Sequence, residues 1–151
     1  MKKTISISLV TILLIALSGL ILVQVEEEQA MKALGLKEGV LQPCPNRQNC
    51  HNSDDLQVKF QIEAIADPEG KKWSRLVEVM AQLPRTELIT DEGNYRHFTQ
   101  TSARMRFVDD IEFHFRPQQG EIAVRSASRL GYRDFGVNMQ RIEHVRALLG
   151  G

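Results

Sequence analysis

Residues 111–124 constrain this chain more than any other stretch. Ile111, Phe113 and Phe115 alternate with polar residues, Ile122 and Val124 do the same, and Pro117-Gln118-Gln119-Gly120 supplies a turn between them. A period of two puts one set of side chains on a buried face, and a slip of one residue would put the phenylalanines in water. Matching the apolar faces across the turn pairs Phe113 with Val124 and Ile111 with Ser126. On the opposite face Glu112 then lies across from Arg125, His114 from Ala123, and Asp110 from Ala127. An antiparallel hairpin in this register is predicted.

The remaining periodicities add elements around it. Further strands are predicted over 56–62, 86–91 and 95–107, with the hairpin strands over 109–116 and 121–127. Asp67-Pro68 offers a helix cap with proline at the first helical position. Trp73, Leu76, Val77 and Met80 follow at helical spacing, predicting an amphipathic helix over 68–83 with Trp73 as its core anchor. Ile142, Val145, Leu148 and Leu149 define a last helix over 138–149, stopped by Gly150, and a short helix over 29–34 is ended by Gly35. The order β-α-β-β-β-β-α predicts an α+β fold: a mostly antiparallel sheet of about five strands with both helices on one face.

Residues 5–25 carry no charge and follow Lys2 and Lys3. Such a run is long enough to cross a hydrocarbon core of roughly 30 Å as a transmembrane helix. The expectation is an uncleaved signal anchor, single-pass in the cytoplasmic membrane, with the lysines keeping the N-terminus inside. The competing reading is a cleaved signal peptide, since Ala16-Leu17-Ser18 fits a small-x-small site, although Leu20 to Val25 stays apolar beyond it. Leu17-Ser18-Gly19-Leu20 resembles a lipoprotein box, but Leu20 stands where the lipidated cysteine belongs. The expected division is an anchor over 1–25, a polar spacer over 26–42 and a domain over 43–151 in the periplasm or an equivalent space.

Without residues 1–25 the chain has 17 basic and 19 acidic residues, a formal net charge of −2. That balance gives no electrostatic footprint for nucleic acid and no polybasic patch for anionic lipid. No metal site and no cofactor are expected. Cys44 and Cys50 are the only cysteines, in PCPNRQNCH, and in an oxidising compartment their default is a disulfide. Its short loop gives a chain-entropy gain of only roughly 2–2.5 kcal/mol, so it is a local clip. Haem attachment needs a shorter cysteine spacing, and a zinc site from Cys44, Cys50 and His51 lacks a nearby fourth ligand.

Chemistry concentrates in RSASRLGYRDFGVNMQR, residues 125–141, and in Asp109-Asp110-Ile111-Glu112. Arg125, Arg129, Arg133 and Arg141 face Asp109, Asp110, Glu112 and Asp134, a set of four cations and four acids. Ser126, Ser128 and Asn138 add hydrogen-bonding groups, and Asp134 or Asn138 is placed to cap the last helix. The balance favours a self-satisfied network, with surplus guanidinium donors at Arg129 or Arg141 available to an anionic or polar ligand or a protein partner. Asp110 and Glu112, two residues apart on one strand, also permit an acid/base pair of an envelope hydrolase. A triad of Ser126 or Ser128 with His114 lacks the expected nucleophile elbow.

The blocks LGLKEGVLQPCPNRQNC, LPRTELI, MRFVDDIEFHF and RSASRLGYRDFGVNMQRIE, in this order, resemble the bacterial and plastid family called domain of unknown function 1499. The resemblance runs from about Leu34 to Leu149. It implies that Cys44, Cys50, Pro84, Arg85, Asp109, Asp110, Glu112, Phe113, Arg125, Ser126, Ser128, Arg129, Gly131, Asp134, Gly136, Asn138 and Arg141 occupy motif positions. It also implies an envelope protein, and it brings no established activity. His51-Asn52 departs from the small or aliphatic residues expected after the second cysteine. The leading expectation is therefore a membrane-anchored binding, interaction or structural module built on the arginine–acid cluster.

Overall fold

A computed structural model describes residues 9–150. Helix α1 (Leu9–Lys32) leads into a two-stranded hairpin of β1 (Leu36–Lys37) and β2 (Val40–Leu41). Then follow β3 (Cys50–Asn52), β4 (Ile65–Ala66), α2 (Lys71–Ala81), β5 (Thr86–Glu92), β6 (Tyr95–Thr101), β7 (Val108–Arg116), β8 (Glu121–Ser128) and α3 (Val137–Leu149). The larger sheet runs β3-β8-β7-β6-β5, with β4 pairing a second stretch of β8, and its pairs are antiparallel. This is the α+β class read from the sequence.

The β7–β8 register is the expected one, with Phe113 opposite Val124, Glu112 opposite Arg125 and Asp110 opposite Ala127. Its turn closes through Gly120 at φ 65, where an added Cβ would meet the Pro68 backbone at 3.1 Å. Phe98, Ile111, Phe113, Ile122 and Val124 form one face, buried against Trp73, Leu76 and Met80 of α2 and Ile142, Val145 and Leu149 of α3. Trp73 is the expected anchor, stacked on Phe115 with ring centroids 5.7 Å apart. Burying such side chains contributes roughly 1.5–3 kcal/mol each.

Several boundaries differ for local reasons. Helix α2 starts later than expected because Pro68 to Gly70 forms a turn, with Gly70 at φ 68. The Asp67 carboxylate nonetheless accepts the Lys72 and Trp73 amides at 3.1 and 2.8 Å. The strand expected over 56–62 is not there: Leu56 and Val58 are exposed, and only Phe60 of the alternating set is buried. Asp55 accepts the Gln57 amide at 2.9 Å and the Cys44 amide at 2.7 Å, diverting the backbone into turns. The strand expected over 95–107 ends at Thr101, and a turn closed by Ser102 and Phe107 leads into β7.

The helix expected over 29–34 is the C-terminal end of the longer α1. Among the described residues no helix is long and apolar enough to cross a membrane. That overturns the single-pass cytoplasmic-membrane location and, with it, the topological argument placing the domain in the periplasm. Residues 5–8 of the expected span, with Lys2 and Lys3, lie outside the described residues. From Leu9 the apolar part of α1 ends at Val25, about 25 Å at ~1.5 Å per residue. Glu26, Glu27 and Glu28 then make the C-terminal end of the helix charged.

Residues 33–41 lie on the sheet face that α2 and α3 leave open. Leu41 is buried there, and the Gly35 amide donates to Glu112 Oε1 at 2.7 Å. Cys44 and Cys50 form the expected disulfide, Cα atoms 5.7 Å apart, and pack with Phe60 and Ala127. Reduction is expected to lower stability by about 2 kcal/mol, checked by urea unfolding with and without dithiothreitol. Equal midpoints would contradict a stabilising clip.

Candidate functional site

Strand alternation divides the expected cluster in two. Asp109 shares its face with Ile111 and Phe113, and its cross-strand partner is Ser128. Asp110 and Glu112 point to the other face with their neighbours Ala127 and Arg125. The four arginines and four acids are therefore not one set. Arg133 is exposed and makes no ion pair among the described residues, and Asp134 serves as a cap.

On the helix side Arg141 is the hub. Its guanidinium donates to Gln100 Oε1 at 2.6 Å, Ser126 Oγ at 2.9 Å, Asn138 Oδ1 at 2.6 Å and the Asp109 carboxylate. Ser126 Oγ also donates to Asn138 Oδ1 at 2.6 Å. Asn138, fully buried, donates to Ser128 Oγ at 3.0 Å and to the Asn49 carbonyl at 3.1 Å. Asp134 accepts the Gly136 and Asn138 amides at 3.0 and 2.8 Å, fixing the start of α3. Asn49, inside the disulfide loop, donates to the Gly131 carbonyl at 2.8 Å and so ties the 128–131 strap to the clip. Every guanidinium nitrogen of Arg141 has a partner in this network, while Asn49 Oδ1 is buried without one among the described residues.

The other face is built around two buried carboxylates. Glu112 accepts Arg125 Nη1 at 2.7 Å, the Tyr95 hydroxyl at 2.8 Å and the Gly35 amide. Asp110 accepts Arg129 through Nε at 2.9 Å and Nη2 at 2.8 Å, and His97 Nε2 at 2.8 Å. Burial and the Glu112 charge hold the Tyr95 hydroxyl above its ordinary range, which keeps it a donor. Burial alone would raise the Asp110 carboxyl, but hydrogen bonds from His97 and Arg129 outweigh it and leave the carboxyl below its usual range. An acid/base pair needs carboxylates free to exchange a proton, whereas Glu112 is fully buried with three donors and Asp110, 2% exposed, accepts three from His97 and Arg129. Nor is there a triad: His114 lies opposite Tyr95 and Ala123, across the sheet from Ser126 and Ser128.

Tyr95, His97, Gln100, Asn49 and Gly35 belong to these networks without having been expected there. For His97 the signal lay in the β6–β7 register, which puts His97 opposite Glu112 and Thr99 opposite Asp110. Asn52, the departure after the second cysteine, is a buried strut: Nδ2 donates to the Gln42 carbonyl at 3.0 Å and Oδ1 accepts the Asp54 amide at 2.9 Å.

A cavity of about 100 Å³ opens onto the second network. Its walls include Glu26 and Ala30 of α1, Arg47 of the disulfide loop, and Asp110, Arg125 and Arg129. Arg125 is 2% exposed, and its Nε has no hydrogen-bond partner among the described residues. Arg47 reaches Glu26 only at 3.7 Å. Asp110 is held by His97 and Arg129 and makes no hydrogen bond to Arg125.

Titration follows from these surroundings. Burial holds His51 below the ordinary histidine range against the pull of Asp134, and burial with Arg116 does the same for His114 against Asp54. Both bind protons more readily when unfolded, so their contribution is present above about pH 6.5 and lost as pH falls through the folded values. Asp134 is depressed like Asp110; burial opposes this, and the amides of Asn138 and Gly136 prevail. The carboxylate contribution is present above about pH 4 and lost as pH falls through the folded values. Urea midpoints should therefore fall in two stages, and His51→Gln with His114→Gln should remove the first. An unchanged midpoint from pH 7 to 5 in the parent protein would contradict this.

Fold and networks together define an α+β domain with a polar, half-covered second sheet face. The family model described as protein of unknown function, DUF1499, matches residues 40–149, and the chain belongs to that family. No curated protein and no solved structure matches it.

Proposed function

We propose that the domain is a binding module for a small carboxylate- or phosphate-bearing molecule, received between the end of α1 and the polar sheet face. The observation that carries the reading is Arg125: almost wholly buried, lining a cavity, and holding a donor with no partner. Leaving a buried donor unmet costs about 1–3 kcal/mol, and folded proteins satisfy nearly all such groups. An oxyanion in the cavity would take up Arg125 Nε and draw on the Arg129 and Arg47 guanidiniums in the same walls. Asp110 and Glu112 act as positioning groups that hold these guanidiniums in place.

A second reading is favoured by the full pairing of Asp110 and Glu112: the network is a scaffold that locks residues 33–41 onto the sheet. Thermal-shift titration with inorganic phosphate, acetate and sodium chloride separates the two. The binding reading expects a saturable rise in melting temperature with phosphate or acetate beyond the chloride effect, lost in Arg129→Gln. No anion-specific rise, or an equal rise in the variant, would leave the scaffold reading in its place.

A further inference from the structure

Between the β6–β7 turn and the loop entering α3 lies a second cleft, of about 220 Å³, walled by Phe107, Leu130, Phe135 and Val137. Phe135 is 91% exposed and Phe107 46% exposed. Phe135 also sits at φ 55, a left-handed backbone that bulky side chains rarely adopt, and Arg106 in the facing turn sits at φ 58. Phe135 in the cleft wall and Arg106, the chain neighbour of wall residue Phe107, are thus held in costly conformations, and Phe135 presents an aromatic ring to water. Arg104, Arg106 and Arg133 are exposed on the same two segments and make no ion pair among the described residues. The nearby acids are committed elsewhere, Asp109 to Arg141 and Asp134 to the α3 amides.

We infer that this cleft is a docking site for an acidic segment of a partner protein, which inserts one leucyl or aromatic side chain between Phe107 and Phe135. The volume sets the anchor: it lies below the roughly 300–1,000 Å³ of drug-sized sites and suits a single side chain. The uncompensated arginines set the charge of the flanking residues. Aromatic residues and arginine together are the composition of interface hot spots.

Fluorescence anisotropy on the full chain tests this, using labelled short peptides in which Glu alternates with Leu or Phe. Comparators are the same peptides with Gln for Glu, and phosphatidylglycerol vesicles. Saturable binding to the acidic peptides is expected, weakened about 10-fold or more by Phe135→Ala, by Arg133→Glu and by the Gln replacement. Arg75→Gln, on the exposed face of α2 away from both cavities, should leave it unchanged. Phe135→Gly relieves the left-handed backbone and should raise the melting temperature while losing the peptide, which separates docking from folding. No saturable peptide binding, equal affinity for the Gln peptides, full affinity in Phe135→Ala, or binding to vesicles alone would each overturn the inference.

Discussion

Glu112→Gln is expected to destabilise the domain by about 3–5 kcal/mol, the usual loss when one partner of a buried ion pair is removed. The glutamine can still accept from Tyr95 and Gly35, so the loss isolates the charge of Arg125, which is 2% exposed. Against a total stability of about 5–15 kcal/mol this is a large fraction. The double variant Glu112→Met with Arg125→Met should recover much of it, because the desolvation penalty disappears together with the attraction. Urea unfolding of the three proteins measures both numbers. A loss below about 1 kcal/mol for Glu112→Gln would mean that the pair behaves as a solvated surface bridge.

Arg141→Met is expected to cost a similar amount, about 3–5 kcal/mol, for a different reason. It strands Asp109, Gln100, Ser126 and Asn138, four acceptors that share one guanidinium. The two networks lie on opposite faces of the sheet and share no hydrogen-bond partner, so variants in them should add. Ser126→Ala combined with Arg129→Gln should equal the sum of the single losses to within about 0.5 kcal/mol in equilibrium unfolding. Strong coupling would return the arginines and acids to the single cluster suggested by counting charges.

That single cluster is where reading the chain by charge failed and reading it by period succeeded. The period-two pattern of Ile111, Phe113 and Phe115 was enough to set the β7–β8 register, and the same alternation puts Asp109 and Asp110 on opposite faces. Counting Arg133 and Asp134 into a balanced set ignored that one is solvated and the other caps a helix. Tyr95 and His97 escaped notice because 95–107 read as one strand, which hid the turn that sets the β6–β7 register. The false strand over 56–62 arose because its alternation was real while Asp55 claimed the backbone amides. The apolar N-terminal run was visible. How far the charged end of α1 reaches toward the sheet was not, because contact between Glu26 and Arg47 depends on tertiary placement.

The binding reading requires that the unmet Arg125 donor be reached from the anion-sized cavity beside it, whereas every Arg141 nitrogen already has a partner. Proton–nitrogen NMR of the arginine Nε–H groups addresses both at once, with Arg125→Lys and Arg141→Lys assigning the two signals. On titration with inorganic phosphate the Arg125 Nε–H signal should shift saturably, and the Arg141 signal should stay in place. An Arg125 signal that does not move, or one that moves in parallel with Arg141, would contradict the account.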